Sequence, residues 1–506
     1  MKKELLIIGF FFTLLNNVHA QGMNRTWLLG FVNVLDTNTT NQRGKLLFDS
    51  SNITVIGETR KMAFYEAQGN ISDENGNLIA ASNGCWIMDA SGDTMLNGSG
   101  LNPGAFANSY CGSTSGLPMP HGCMFLNLPE DSNKIMVIHQ NVDFSLALNS
   151  TELLYTTIDR SLNGGFGGVI PVQKNINILS DTLSWGVSAC RHANGRDWWI
   201  AAIRDSSHTL LLTLLNATGV VSVTSHVINM PLPFSANAGQ PCFSPDGTKF
   251  AYTSGFLNPL FQDVRVFSFN RCTGNFDSIG YVAKPGQAGF GLSFSPDSRY
   301  LYYSSFGQVF QLDTDAPDIA ASDSLVATYD GYVYPFPTSN TNFWLMYRAA
   351  NGKIYISPSG GVIDYHIINY PDSGGIACDL KQHALRLPCY AGYGNVNHPN
   401  YYLGCDTTLG CPCLVSTSVS EHGQHDFSIK LSPNPGSAGF EILYLLPQNK
   451  NGILSVFDLQ GRLIHKQILA PWSTMQHIPA VDWAGGVYQV RIESAGYFNT
   501  NKWMKY

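Results

Sequence analysis

Apolar and polar residues alternate over short stretches along most of this chain, and the alternating stretches come in pairs joined by tight turns. Two such pairs match at a constant offset of 51 residues. One runs Phe243-Ser244-Pro245-Asp246-Gly247-Thr248-Lys249-Phe250-Ala251-Tyr252, the other Phe294-Ser295-Pro296-Asp297-Ser298-Arg299-Tyr300-Leu301-Tyr302-Tyr303. Pro presets φ at the turn's first corner, and Asp can bond to the backbone beyond it. A third apolar stretch follows each pair, Val264 to Phe269 and Val309 to Leu312. Period-two alternation of this length predicts half-buried strands.

Looser copies of the unit turn at Asp73 to Gly76, Glu130 to Asn133, His192 to Gly195 and Ala349 to Gly352. The fourth turn residues fall at positions 76, 133, 195, 247, 298 and 352, with spacings of 57, 62, 52, 51 and 54. A period near 50 with about four short strands per unit predicts a β-propeller. Such a unit cannot bury both faces alone, and radial stacking gives each blade two neighbours. Six hairpins are visible. The stretches Trp27 to Gly30 and Asn397 to Gly404 either complete a seventh blade or close the ring.

The last eighty residues carry a different pattern. Strands are predicted over Ile453 to Asp458 and from Arg462, turned at Gln460-Gly461, and over Gly486 to Ile492. In the last of these Tyr488, Val490 and Ile492 face one way, and Val487, Gln489 and Arg491 the other. The expected architecture is therefore all-β: a six- or seven-bladed propeller over 24–404, a Ser/Thr/Cys/Gly-rich linker over 405–425, and a small immunoglobulin-like β-sandwich over 426–506. Residues 1–20 have the form of a secretory signal peptide. Lys2 and Lys3 precede the apolar run Leu5 to Leu15, and Val18-His19-Ala20 is the cleavage site. That run is too short to span a bilayer, and no later one spans either.

Composition narrows the function. Charged residues make up 13% of the chain, against about 25% in average proteins. The net charge is −7 and no basic stripe exists, which argues against a nucleic-acid partner. Eleven cysteines behind a signal peptide predict disulfides. The local candidates for pairing are Cys111 with Cys123 and Cys378 with Cys389, then Cys242 with Cys272. Cys405, Cys411 and Cys413 form a cluster, and one cysteine is left over. Cys411-Pro412-Cys413 lacks the second ligand pair of a zinc site.

The sandwich resembles the type A C-terminal sorting domain of the type IX secretion system of Bacteroidota. The residues that carry this are Ser432-Pro433-Asn434-Pro435, Val456-Phe457-Asp458-Leu459-Gln460-Gly461-Arg462, Gly485-Gly486-Val487-Tyr488 and the Lys502 and Lys505 ending. Ser432 stands where an aromatic is frequent. The resemblance implies that Pro433, Asn434, Pro435, Asp458, Gly461, Gly486, Tyr488, Lys502 and Lys505 belong to the sorting motif. It also implies that an outer-membrane translocon is a partner and that the cargo is secreted or attached to the surface. The propeller is similar to secreted Bacteroidota proteins with WD-repeat-like blades, on the phrases around Asp73, Arg191, Cys242 and Asn351. That similarity implies a fold and an address and carries no activity.

No catalytic signature is present. Gly112-Ser113-Thr114-Ser115-Gly116 puts Thr at the centre of what would be a nucleophile elbow. H-E-x-x-H is absent, and Asp313-Thr314-Asp315 lacks the downstream Gly and Glu of a calcium loop. Cys190 and His192 lie on a strand and its turn, where near neighbours point apart. A sialidase would need converging arginines; Arg191, Arg196, Arg204, Arg265, Arg299 and Arg348 exist, but sequence shows no convergence. The expectation is a monomeric, non-enzymatic propeller without cofactor or metal that binds an extracellular protein or glycan. The competing expectation is a hydrolase or lyase acting on polysaccharide or peptide in the propeller funnel. Two carboxylates about 5–10 Å apart in the funnel would favour a glycosidase, and an Asn/Ser-lined mouth would favour binding.

Overall fold

The computed structural model describes residues 22–31, 43–48, 52–74, 76–142, 149–234, 239–257, 260–335, 338–414, 429–444, 446, 451–469, 475–494 and 497–506. The expected signal segment 1–20 and the second half of the expected linker lie outside them. The chain divides into two compact units, with the boundary between Ser416 and Thr417.

Among the described residues the larger unit holds seven blades in sequence order, blades 2 and 3 sharing one nine-stranded sheet, with a two-stranded hairpin, Val333–Pro335 and Thr338–Asn340, between blades 6 and 7. Blade 1 is Thr26–Leu29, Arg43–Phe48 and Ile53–Glu58. Blade 2 is Gly69–Ser72, Leu78–Ser82, Trp86–Asp89 and Thr94–Ser99. Blade 3 is Cys123–Asn127, Lys134–Val142, Ser150–Asp159 and Ile176–Leu183, and a two-residue strand, Gly168–Val169, joins it to blade 2. Blade 4 is Ser188–Arg191, Trp198–Ile203, Thr209–Asn216 and Gly219–Val227. Blade 5 is Gly239–Phe243, Lys249–Leu257, Leu260–Phe269 and Phe276–Pro285. Blade 6 is Leu292–Phe294, Tyr300–Ser304, Gln308–Asp313 and Ser324–Thr328. Blade 7 is Phe343–Arg348, Ile354–Pro358, Asp364–Ile368 and Leu380–Arg386. Blades 2 to 7 are antiparallel meanders whose first strand faces the axis.

The hydrophobic cores lie between blades rather than within them. Trp199 and Leu212 of blade 4 pack with Tyr252 and Phe267 of blade 5. Val264 and Val266 of blade 5 pack with Leu301 and Leu312 of blade 6. Ring closure is aromatic: Trp27 of blade 1 meets Tyr347 and Tyr355 of blade 7 edge-on, at centroid separations of 6.3 and 5.6 Å. Each aromatic pair adds about 0.5–1.5 kcal/mol beyond its area.

The repeating turn also ties blades together. Ser244 donates to Asp246 at 2.6 Å, and Ser295 donates to Asp297 at 2.5 Å. The Asp246 N–H then reaches Ser298 Oγ of the next turn at 3.1 Å. Lys249 Nζ crosses to Thr314 at 2.8 Å and Asp315 at 2.5 Å. Gly247 and Ser298 occupy the same left-handed position, φ +73° and +66°. At Gly247 a Cβ would lie 2.7 Å from Leu403 and 2.8 Å from Cys190 Sγ, so glycine serves both the turn and the close approach of the chain's end.

Blade 1 has three strands, and the stretch after blade 7 bonds the chain just past its first strand, where the Phe31 N–H reaches Tyr390 O at 2.8 Å. The free carbonyls of Thr26 and Leu28 are met by side-chain amides of Asn70 (2.8 Å) and Gln68 from blade 2. Residues 390–404 run down the axis beside them. The expected linker therefore starts later than residue 405. Asp406 N–H reaches Ala193 O at 2.7 Å and Leu414 N–H reaches Asn194 O at 2.9 Å.

The cysteine pairing differs from the local expectation. The disulfides are Cys85–Cys111, Cys272–Cys411 and Cys405–Cys413, with Cα separations of 5.4, 5.6 and 5.5 Å. Cys123 is free and buried in the first strand of blade 3, while Cys111 follows the short helix Ala105–Tyr110 back toward Cys85. Cys378 and Cys389 flank the seven-residue strand Leu380–Arg386, whose length of roughly 20 Å keeps them apart. Cys242 ends in the axial strand of blade 5, whereas Cys272 sits in that blade's outer turn. Cys190, Cys242, Cys378 and Cys389 are also free. Mass mapping of the secreted protein without reductant is expected to recover these three cross-links and to find the five other cysteines alkylatable only after unfolding. A Cys111–Cys123 or Cys378–Cys389 peptide would contradict the fold.

The smaller unit is a two-sheet sandwich. One sheet is Ile429–Ser432, Gly439–Tyr444 and Met475–Pro479; the other orders Leu463–Leu469, Gly452–Phe457, Gly486–Ser494 and Tyr497–Lys505. Tyr488, Val490 and Ile492 point into its core with Phe440, Ile442, Leu454 and Trp503, as the alternation predicts.

Candidate functional site

The axis of the ring is occupied by the chain itself. Tyr393 N–H donates to Tyr65 O (3.1 Å) and Asn397 N–H to Gln68 O (3.4 Å), at the face where the first strands begin. Asn397 Nδ2 donates to Val187 O (2.8 Å), and His398 Nε2 donates to Asn70 O (2.8 Å). Asn400 Nδ2 donates to Pro245 O (2.7 Å), and Tyr401 donates to Phe125 O (2.8 Å). Residues 393–401 thus bond to blades 2, 3 and 5 and to the loop before blade 4. Tyr347 reaches in from blade 7, bonding His121 Nε2 at 3.1 Å and accepting the Asn395 N–H at 3.2 Å. Arg271 then caps Gly404 O where the segment leaves.

A cavity of about 90 Å³ remains on the axis. Its wall includes Ser188 and Cys190 of blade 4, Cys242 of blade 5, Ser293 of blade 6, Arg348 of blade 7, and Asn400. No Asp or Glu lines it. Burial pulls His121 down to about 3 and His398 down to about 4, so both rings are neutral at physiological pH. Burial pushes the Cys190 thiol up to about 12 and the Cys242 thiol up to about 11, so neither becomes a thiolate nucleophile. His192 Nδ1 accepts the Asn194 N–H at 3.0 Å and its ring tilts against Trp199, which makes it a turn residue.

Five of the six candidate arginines are committed elsewhere. Arg191 lies over Trp198 at 3.9 Å. Arg196 pairs with Asp197 and Glu130, Arg204 with Asp181, Arg265 with Asp263 and Arg299 with Asp313. Only Arg348 of the six borders the axial cavity. Sequence reading missed this site because residue 348 and residues 188, 242, 293 and 400 come from five separate stretches. Among the described residues no group of three or more His, Cys, Asp or Glu could hold a metal.

In the sandwich, the motif residues build the fold. Asn434 acts as a short strand against the chain's last strand: its Nδ2 donates to Lys502 O at 2.7 Å and its Oδ1 accepts the Met504 N–H at 3.0 Å. Pro433 O accepts the indole N–H of Trp503 at 2.9 Å. Pro435 leads to Gly436, whose N–H reaches Met504 O at 2.9 Å. Asp458 accepts from the N–H groups of Gln460 and Arg462 at 3.0 and 2.9 Å, and Gly461 supplies the left-handed φ of +77°. Gly486 opens a strand paired with Lys505, and Tyr488 donates to Ala484 O at 2.7 Å. Lys505 Nζ donates to three carbonyls, Ala480, Val481 (2.8 Å) and Trp483 (2.6 Å). Lys502 is exposed.

Residues 430–506 match the family model of the secretion system C-terminal sorting domain. The tail is a type IX secretion sorting domain. The sorting domain directs this chain out through the type IX machinery to the cell surface or the extracellular space. Among the described residues no helix is long and apolar enough to cross a membrane. Several solved structures are similar to this chain at low identity. The periplasmic gluconolactonase PpgL of Pseudomonas aeruginosa is 13% identical, over 90% of this chain and 99% of that one, with a TM-score of 0.36. A functionally unknown protein of Desulfotomaculum acetoxidans is 13% identical, over 74% and 99%, with a TM-score of 0.38. The Dos1 propeller is 10% identical, over 74% and 86%, with a TM-score of 0.39. No curated protein sequence matches the chain.

The three bonds of Lys505 are charge-assisted and partly buried, so Lys505→Met is expected to cost the sorting domain about 1–3 kcal/mol. Lys502→Met is expected to change it by under about 0.5 kcal/mol. Hydrogen exchange over 475–506 in urea separates the two. Deleting residues 427–506 is expected to leave the protein in the periplasm, read by fractionation.

Proposed function

We propose that this protein is a non-enzymatic recognition module, exported through its sorting domain, whose propeller binds an extracellular protein or glycan. The observation that carries the reading is the filled axis. A propeller enzyme gathers its reacting groups where the first strands converge. Here that space holds residues 393–401, neutral histidines and a cavity of about 90 Å³ without a carboxylate. Retaining or inverting glycoside chemistry needs a pair of carboxylates there; Glu66, raised to about 7 by burial beside Gly394, has no second carboxylate facing it on the cavity wall. The remaining wall of serines, asparagine and one arginine suits hydrogen bonding to a bound group.

Recognition on such a scaffold rests on loops held by a rigid frame. The face where the first strands begin offers Phe31, Tyr65 and Tyr393, each partly exposed, with ring centroids 5.3 to 5.5 Å apart. Aromatic faces of this kind provide stacking area for sugar rings or for apolar side chains. The test uses the purified full chain in a glycan array and in pull-downs from extracellular medium, in parallel with turnover assays on polysaccharide and peptide. Saturable binding without turnover is expected, weakened at least tenfold by Tyr65→Ala with Tyr393→Ala. Release of new reducing ends or peptide fragments would overturn the reading.

A further inference from the structure

Arg348 ends the first strand of blade 7 and borders the axial cavity. Among the described residues no hydrogen bond or ion pair to its guanidinium is found, while the other arginines considered above are all paired or stacked. The nearest interacting carboxylate, Asp372, lies beyond ion-pair distance and accepts the Asp297 N–H at 2.9 Å. Burial lowers the pKa of Arg348, but an arginine does not give up its proton in a protein. Arg348 is partly exposed, so its unpaired charge can meet an anion that enters the cavity from solvent.

Nothing in the wall supplies that anion. The two thiols facing the cavity, Cys190 and Cys242, stay protonated at physiological pH. Ser244 is spent on Asp246 and on the Lys249 N–H. Asn400 is spent on Pro245 and Tyr402. Two hydroxyls remain: Ser188, and Ser293, whose only contact is Phe294 O at 3.5 Å. The site therefore combines a fixed cation, two free hydroxyl donors and no competing carboxylate.

We propose that the axial cavity is an oxyanion site, in which Arg348 grips one carboxylate group with Ser188 and Ser293 as further donors. A cavity of about 90 Å³ holds roughly three waters, which fits one carboxylate, with the rest of a larger acidic ligand left outside. The proposal deepens the binding reading by naming an acidic ligand, and it stands or falls separately from the aromatic face.

The test is thermal unfolding of the full chain at constant ionic strength in sodium chloride, sodium acetate, sodium glucuronate or glucose. Acetate at ten times its Kd is expected to raise Tm by about 2 °C over chloride, with glucose inert. Arg348→Met is expected to fold, because it removes an unpaired charge, and to lose the acetate shift. Arg348→Lys is expected to retain part of it. A glucuronate shift equal to that of acetate assigns the group to an acidic sugar; a shift with acetate alone assigns it to a free small anion. An equal shift in Arg348→Met, or none in the wild-type chain, overturns the site. Loss of the acetate shift in Arg348→Met alongside negative glycan and protein screens would retain the oxyanion site and reject the partner classes proposed above.

Discussion

Seven blades meeting around an axis leave the inward edge of each first strand without a strand partner, and buried backbone groups without partners are costly. In this molecule residues 393–401 answer that problem from the inside. The segment donates to carbonyls of Tyr65, Gln68, Asn70, Phe125, Val187 and Pro245. Each bond contributes only about 0.5–1.5 kcal/mol net. Together they pin blades that are far apart in sequence to one irregular segment. Blade 1, which has three strands, is tied to the same stretch at its end, where the Phe31 N–H reaches Tyr390 O at 2.8 Å. The packing of Trp27 on Tyr347 and Tyr355 then completes the circle.

The same constraint governs chemistry. A side chain that lines the axis faces chain rather than solvent, so its titration is suppressed: imidazoles are held neutral and thiols protonated. The cavity wall consequently keeps small neutral polar groups, while beside Gly394 burial raises the Glu66 carboxyl to about 7. Arg348 is the exception, because burial cannot neutralise a guanidinium. That asymmetry is why one residue, and not a cluster, stands out at the centre of the ring.

Much of the architecture was legible in the sequence, for a physical reason. The Ser-Pro-Asp-Gly turn is a local device, and its spacing survives because each blade has to span the same radius. The alternation of Tyr488, Val490 and Ile492 is equally local. Disulfides were not legible, since pairing follows spatial neighbours, and in a meander those come from other turns: Cys272 finds Cys411 across 139 residues. The axial role of Asn397 to Gly404 was visible only as a remainder that had to close something. The cavity was invisible, because its wall takes three or four residues from each of blades 4 to 7, which are far apart in sequence.

The disulfides also set where the ring ends mechanically. The chain leaves the axis at Gly404, and within ten residues it is cross-linked to blade 5 through Cys272–Cys411 and closed on itself through Cys405–Cys413. In the chain-entropy picture a loop of this length is worth roughly 4–5 kcal/mol. The consequence is directional. A pull on the chain beyond residue 414 meets a covalent link to blade 5 before it reaches the hydrogen bonds of residues 393–401. The segment that closes the ring is thereby insulated from the fate of the domain that carries the ring out of the cell.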